Sequence, residues 1–350
     1  MSLNTVVSPL NYGFALFCCL TAKVKTMISK NHFLIIFKYN GVMKIAIVKL
    51  SALGDIIHAA SVLQFIKFHI PDARIDWIVE DAFSDILAHN KDINCIKRVN
   101  LKSIKSNYIN VLKEIKNIKT FTKNSYDITI DLQGLLKSSI VSKIISKNVA
   151  GFDKNSVREK AASLFYKKKI SVPYHENTID RYRVLVSQAL EIDIKKEDIL
   201  DKKPYLSYAR EDKETAHLFL AGQRKKIIFI IGSTWPSRIY PDKKLIYIAN
   251  NINADIFIPY GSDSEKHTAE KIASLSKNVT VLPKMNLNQL KAVISNSDLV
   301  IGNDTGPTYI AWANNIPSVT LFGPTPPTRI YETSINKILK IATSLLKNKT

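Results

Sequence analysis

Residues 45–50 are short, β-branched and nearly all apolar, the pattern of a parallel strand buried on both faces. A tight turn, Ser51-Ala-Leu-Gly-Asp55, follows, and Ile56, Ile57, Ala60, Val62, Leu63 and Phe65 then fall at helical spacing. The alternation continues. Residues 74–80 read as a second strand, 83–89 as a short helix, 95–99 as a weak third strand and 104–122 as a lysine-rich amphipathic helix. Residues 127–132 form a strand ending in Gln133-Gly134, with a helix over 135–147. Beyond residues 149–152 a polar turn leads into 157–166. The segment 176–190 then carries Ile179, Tyr182, Val186 and Leu190 on one helical stripe. Over 191–205 the periodicity fades into charge, as an interdomain linker would. A second series places strands at 226–231, 255–259, 279–282, 298–301 and 318–322, with helices at 242–251, 264–276, 287–295 and 307–312. Repeated strand-then-helix units of this length imply a parallel, right-handed α/β sheet. Two successive Rossmann-like domains, facing each other across a cleft, follow from the two series.

Length agrees with that division, since 350 residues is long for one core. The boundaries expected are 43–195 for the first domain and 196–350 for the second. Residues 1–42 do not share the pattern. The apolar run 14–20 is too short to span a bilayer and lacks a basic flank, and Met43 directly precedes the first clean strand. We read 1–42 as an extension, non-native or poorly ordered, with a membrane-associating segment as the alternative. Hydrophobic content of 46% with 23% charged residues is ordinary globular composition. The net charge of +20 points to an anionic partner, but only nine of the 50 basic residues are arginine, and arginine is the better fork for phosphate. Sequence-specific nucleic-acid binding is therefore not expected. Cys18, Cys19 and Cys95 suggest neither a disulfide framework nor a zinc site, which fits a reduced, cytoplasmic protein.

Polar residues with chemical potential cluster after strand ends, where open α/β sheets bind ligands. They are Asp131-Leu-Gln-Gly134 with Lys137 and Ser138, Gly232–Tyr240, Pro259–Glu265, Gly302–Tyr309 and Gly323–Pro327. Any one of these is ordinary turn or cap chemistry, as Asp55 at a helix start is ordinarily a cap. Five at the same end of two sheets point to a binding cleft. No Walker A, Gly-x-Ser-x-Gly or Gly-x-Gly-x-x-Gly pattern is present, which argues against P-loop phosphoryl transfer, serine hydrolysis and dinucleotide oxidoreduction.

The run Lys49-Leu-Ser-Ala-Leu-Gly-Asp55-Ile-Ile-His58 resembles the heptosyltransferase family that builds the inner core of lipopolysaccharide. So do Asp131-x-Gln-Gly-Leu-x-Lys-Ser138, Arg158-Glu159 with Ser-Leu-Phe-Tyr166, Leu282-Pro-Lys-Met285, Asp304-Thr-Gly306 and Gly323-Pro-Thr325. The motifs occur in order from Met43 onward, and the Gln-Gly-Leu-x-Lys-Ser and Ser-Leu-Phe-Tyr pieces favour the first heptosyltransferase over the second. The resemblance implies a GT-B fold, with an acceptor domain followed by a nucleotide-sugar domain. It implies inverting transfer of L-glycero-D-manno-heptose from ADP-heptose to a Kdo sugar of lipid A. Heptosyltransferase II, another GT-B sugar transferase and a tandem-Rossmann nucleotide-binding protein stay open as alternatives. Asp55 matches the family's base, and Arg238 stands where a phosphate-binding lysine is usual. Ser233, Thr234, Glu265, Asp304, Thr305, Gly306 and Tyr309 fall on the donor side, Tyr309 replacing a usual histidine. Ser51, Gly54, His58, Gln133, Lys137 and Arg158 fall on the acceptor side; burial on a helix face is the bland alternative for His58. With no Asp-x-Asp motif, no obligatory metal or cofactor is expected. Lys102, Lys105, Lys113, Lys116, Lys119 and Lys167–Lys169 are candidates for contact with the anionic cytoplasmic face of the inner membrane.

Overall fold

The computed structural model describes residues 41–102 and 108–341. Residues 1–40 of the expected extension, Lys105 and the start of the helix expected at 104 lie outside the described residues. The first sheet contains β1 (Lys44–Val48), β2 (Arg74–Glu80), β3 (Cys95–Val99), β4 (Ile128–Asp131), β5 (Val149–Phe152) and β6 (Lys168–Ile170). The second contains β7 (Lys226–Ile230), β8 (Asp255–Ile258), β9 (Val279–Val281), β10 (Leu299–Asn303), β11 (Ser318–Phe322) and β12 (Asn336–Lys340). Their orders are β3-β2-β1-β4-β5-β6 and β12-β11-β10-β7-β8-β9, and the pairings are parallel. Both sheets therefore have the same doubly wound order. The direction of winding reverses between β1 and β4 in the first, and between β7 and β10 in the second. β1 is central and buried on both faces, Ile45 and Ile47 toward one core and Ala46 and Val48 toward another. The α/β, two-sheet GT-B architecture expected from the resemblance is the one observed.

Elements that escaped the hydrophobic pattern include β6, β12 and the helix Arg210–Phe219. Both strands close the edge of a sheet and are lysine-rich, Lys-Lys-Ile and Asn-Lys-Ile-Leu-Lys, which blunts an exposed edge against further pairing and hides the strand from a burial pattern. Other expectations need correction. The helix after β1 begins at Leu53, so Gly54 and Asp55 lie in its first turn and not in the preceding loop. Residues 83–89 do not form an α-helix; a 3-10 segment, Asp81–Ile86, takes their place. The 191–205 stretch, between the strands of the first sheet and those of the second, is packed. It holds the helix Lys196–Leu200, and Ile194, Ile199, Lys202 and Tyr205 are buried.

Close packing joins the two sheets. A Cβ on Gly306, which opens the helix Gly306–Ala313, would lie 2.8 Å from Leu53 Cγ, and one on Gly54 would lie 2.9 Å from Tyr309 Cδ2. These two glycines let the helix Leu53–Ala60 and the helix Gly306–Ala313 touch. Lys291, fully buried on the helix Leu287–Ser295, crosses the same junction and donates to the carbonyls of Asp85 (3.0 Å), Ile86 (3.3 Å) and Ala88 (3.0 Å). No described helix is long and apolar enough to cross a membrane.

Candidate active site

The chain leaves β1 through Lys49, Leu50 and Ser51 before the helix that carries Asp55. Gln133, just after β4, fixes this exit: its Oε1 accepts from the backbone N–H of Leu50 and of Ser51, each at 3.2 Å. Asp131 fixes Gln133 in turn. Its buried carboxylate accepts from Gln133 N (2.8 Å), Gly134 N (3.2 Å), Ser138 Oγ (2.8 Å) and Tyr166 Oη (2.8 Å). Burial pushes the Asp131 carboxyl up while those four donors pull against it. The Asp-x-Gln-Gly run is thus a clamp on the turn that aims Asp55.

Asp55 lies between two cations. Lys49 Nζ is 4.0 Å from Oδ2, and Arg329 Nη1 is 4.0 Å from Oδ1. Desolvation pushes the carboxyl up, but the charges of Lys49 and Arg329 outweigh it and hold Asp55 below the usual carboxylate range. Lys49 is itself buried, with Nζ 5.1 Å from the centroid of the Tyr182 ring. Burial pulls its ammonium down, and the pull of Tyr182 and Asp55 more than offsets this, so Lys49 stays charged.

The second sheet supplies the facing wall. Asp304 follows β10 and is 1% exposed; its carboxylate accepts from Tyr309 Oη and from Thr325 Oγ1 (2.6 Å) and pairs with Arg238, whose Nη1 is 3.3 Å away. Thr305 caps the helix Gly306–Ala313 with no side-chain bond, leaving free N–H groups at its start. After β8, Glu265 Oε2 accepts from Gly261 N at 2.7 Å. A Cβ on Gly232 would lie 2.0 Å from Glu265 Oε1, so only glycine there leaves room for this carboxylate.

The two walls enclose a cleft of about 820 Å³. On the first-domain side it is lined by Gly54, Asp55 and Arg158 among the expected residues. On the other side Ser233, Thr234, Arg238, Glu265 and the run Asp304–Gly306 with Tyr309 line it. Ser51, His58, Gln133 and Lys137 do not. Gln133 acts on the backbone behind Asp55, and Lys137 is exposed on the helix Leu136–Ile145. His58 is a clear departure. It is 1% exposed, 4.3 Å from the Tyr309 ring and 6.1 Å from Trp312, and neither ring nitrogen has a hydrogen-bond partner. Burial pushes its pKa down to about 4, against the pull of Asp55, so the imidazole is neutral near pH 7 and packs the junction. The described residues hold no cluster of three or more His, Cys, Asp or Glu able to bind a metal.

The sequence compares with known proteins in the same sense. A family model described as glycosyltransferase family 9 (heptosyltransferase) matches residues 115–348. The chain belongs to glycosyltransferase family 9. Lipopolysaccharide heptosyltransferase 1 of Campylobacter coli is 37% identical over 319 residues, covering 88% of this chain and 92% of that one. The Pseudomonas aeruginosa protein of the same name is 29% identical over 301 residues, covering 81% and 80%. The structure of E. coli heptosyltransferase WaaC with ADP-2-deoxy-2-fluoro heptose superposes with a TM-score of 0.74 at 25% identity, covering 88% of this chain and 96% of that one.

Arg329 and Trp235 line the cleft of this family 9 chain and Lys49 is buried behind Asp55; none of them was among the expected site residues. Lys49 directly follows β1 and reads in the sequence as part of a buried strand. Arg329 follows the Gly323–Pro327 turn, and only the fold brings it to Asp55. Trp235 lies in the turn after β7 and lines the cleft while 61% exposed. A tryptophan in a glycine-initiated loop was the available signal.

Proposed function

We propose that this glycosyltransferase moves L-glycero-D-manno-heptose from ADP-heptose to a Kdo residue of lipid A, inverting the anomeric carbon. The observation that carries the reading is an ionised carboxylate, Asp55, on one wall of a cleft whose other wall offers a helix N-terminus and Arg238. Inversion in one displacement needs those two opposed features. The acceptor hydroxyl oxygen bonds to the anomeric carbon as the bond from that carbon to the diphosphate oxygen breaks. The hydroxyl proton passes to Asp55, and the electron pair leaves with ADP. Charge building on the diphosphate is met by the N–H groups at Thr305–Gly306 and by Arg238, which act on a developing negative charge without reorganising. Asp304, held by Tyr309 and Thr325, presents acceptor atoms to sugar hydroxyls. Ser233, Thr234 and Glu265 border the nucleotide end, and Arg158 borders the acceptor end. Ser51, Gln133 and His58 act behind the surface as supports, and Lys137 stands outside the cleft.

Similarity to proteins named lipopolysaccharide heptosyltransferase 1 supports the bare Kdo acceptor. Incubating the protein with ADP-heptose and either Kdo-lipid A or its heptosylated form, with products read by mass spectrometry, tests this. One added heptose on Kdo-lipid A is expected; transfer only to the heptosylated form refutes the acceptor assignment. We also propose that the reaction needs no divalent ion, so that activity survives EDTA. Exposed Lys113, Lys116 and Lys119 on the helix Tyr108–Phe121 support docking on the anionic cytoplasmic leaflet. Binding to anionic vesicles that weakens with salt is the expected result, and equal binding to neutral vesicles would refute it.

A further inference from the structure

The two cations that flank Asp55 differ in what they are free to do. Lys49 is 3% exposed, directly follows the central strand β1 and is packed over Tyr182. It is a fixed charge. The Arg329 side chain is 40% exposed and lines the cleft. At 4.0 Å its contact with Asp55 is an ion pair longer than a hydrogen bond, and among the described residues its guanidinium makes no other ion pair. Among the described residues no hydrogen bond from this guanidinium is seen, so its five N–H donors remain available at the cleft, where the charge of Asp304 acts on it as well as that of Asp55. The backbone on either side of it is anchored. Thr328 O accepts from Thr178 N at 3.2 Å, and Ile330 O accepts from Asn177 Nδ2 at 3.3 Å. Thr178 opens the helix Thr178–Leu190, which packs with the first sheet, so Arg329 is tied to the wall that carries Asp55 although it lies between β11 and β12 of the second sheet.

We propose that Arg329 is a transferable counter-ion: it faces Asp55 before substrate binds, then turns to an anionic oxygen group of the bound substrate and leaves Asp55 to take the acceptor proton. The inference rests on the reading of Asp55 as the base. Its physical logic is that a carboxylate held by two cations is ionised but weakly basic, and removal of one cation restores basicity only when the cleft is filled. The groups that face Asp55 are consistent with one movable partner: Lys49 from β1, Tyr182 from the neighbouring helix and the neutral His58 on its own helix are all buried, and Arg329 is not. The anion is either the donor diphosphate or the carboxylate of a sugar acid on the acceptor.

The test is a double-mutant cycle on ADP affinity by titration calorimetry, using wild type, Asp55→Asn, Arg329→Gln and the double variant. It is joined by KM for Kdo-lipid A and pH profiles of kcat and kcat/KM. If the diphosphate is the recipient, Asp55→Asn tightens ADP by about threefold or more, and Arg329→Gln removes that gain. If the acceptor is the recipient, ADP affinity is unchanged in Arg329→Gln and KM for Kdo-lipid A rises about tenfold. In both cases the acid limb of kcat/KM lies below that of kcat in wild type, the two converge in Arg329→Gln, and Arg329→Lys restores part of the separation. An Arg329→Gln variant within about twofold of wild type for both ligands, with coincident limbs in wild type, overturns the proposal. Wild-type protein that binds no ADP would instead overturn the donor site itself.

Discussion

At the scale of single residues, the chemistry turns on how Asp55 is kept charged. Its carboxyl lies below the usual range because Lys49 and Arg329 outweigh its desolvation. Lys49→Met should therefore raise the acid limb of kcat/KM, as the cation that cannot move is removed. Asp55→Asn should reduce transfer by about 10²–10⁴-fold, the usual worth of a general base, while ADP still binds. Steady-state kinetics beside calorimetry separates the two effects, and retained turnover in Asp55→Asn removes it from the role of base. The linkage has a definite sign. A carboxyl whose folded pKa is depressed contributes stability above its unfolded pKa of about 3.8, and that contribution is lost as pH falls through the folded value. His58 contributes no limb near pH 6.5, because burial holds it neutral until about pH 4.

Elements impose a different constraint, which is contact distance. The helix Leu53–Ala60 and the helix Gly306–Ala313 approach so closely that a methyl at Gly54 would lie 2.9 Å from Tyr309 Cδ2. Tyr309 cannot readily yield, since its hydroxyl is committed to Asp304 and its ring packs on His58. Gly54→Ala should cost about 1–3 kcal/mol by overpacking, read as a lower denaturation midpoint, and should disturb Asp55 one residue on. An unchanged midpoint would show that the junction gives way. Gly232→Ala acts at the other end of the cleft. The added carbon would fall 2.0 Å from Glu265 Oε1, so the carboxylate must move, and ADP affinity is expected to drop with little loss of global stability.

For the whole molecule, the junction is closed by buried lysines as much as by apolar packing. Lys291 satisfies three carbonyls of the first domain, and Lys202 donates to Asn315 at 2.5 Å while lying 4.2 Å from the Trp312 ring centroid. Burial pulls both ammonium groups down to about 8. Here the sign is the reverse of that for Asp55. Between about pH 8 and the ordinary 10.5 the unfolded chain binds more protons than the folded one at these sites, so their contribution to stability rises with pH across that window. Lys291→Met removes the ammonium donor from the carbonyls of Asp85, Ile86 and Ala88, of which Asp85 keeps Ala88 N, and should destabilise by about 1–3 kcal/mol. The pH-dependent rise should shrink in that variant; an identical rise in both proteins would remove Lys291 from the account.

The sequence by itself determined the two strand-and-helix series, the central strands and the polar turns at their ends, because burial on both faces and turn chemistry are local and leave a local pattern. It also carried the family resemblance, including Asp55, Arg238 and Asp304. Edge strands β6 and β12 left no such pattern, since an edge needs charge more than it needs apolar faces. Only the tertiary structure decided that Gly54 serves a helix contact and not a turn, that His58 is sealed in the junction, and that Gln133 holds backbone behind the site. It also decided that Lys49 and Arg329, 280 positions apart in the chain, converge on one carboxylate. The reason is physical. Electrostatic pairing and close packing depend on distances through space between the two domains, and those distances follow from how both sheets wind and dock, which no stretch of sequence contains alone.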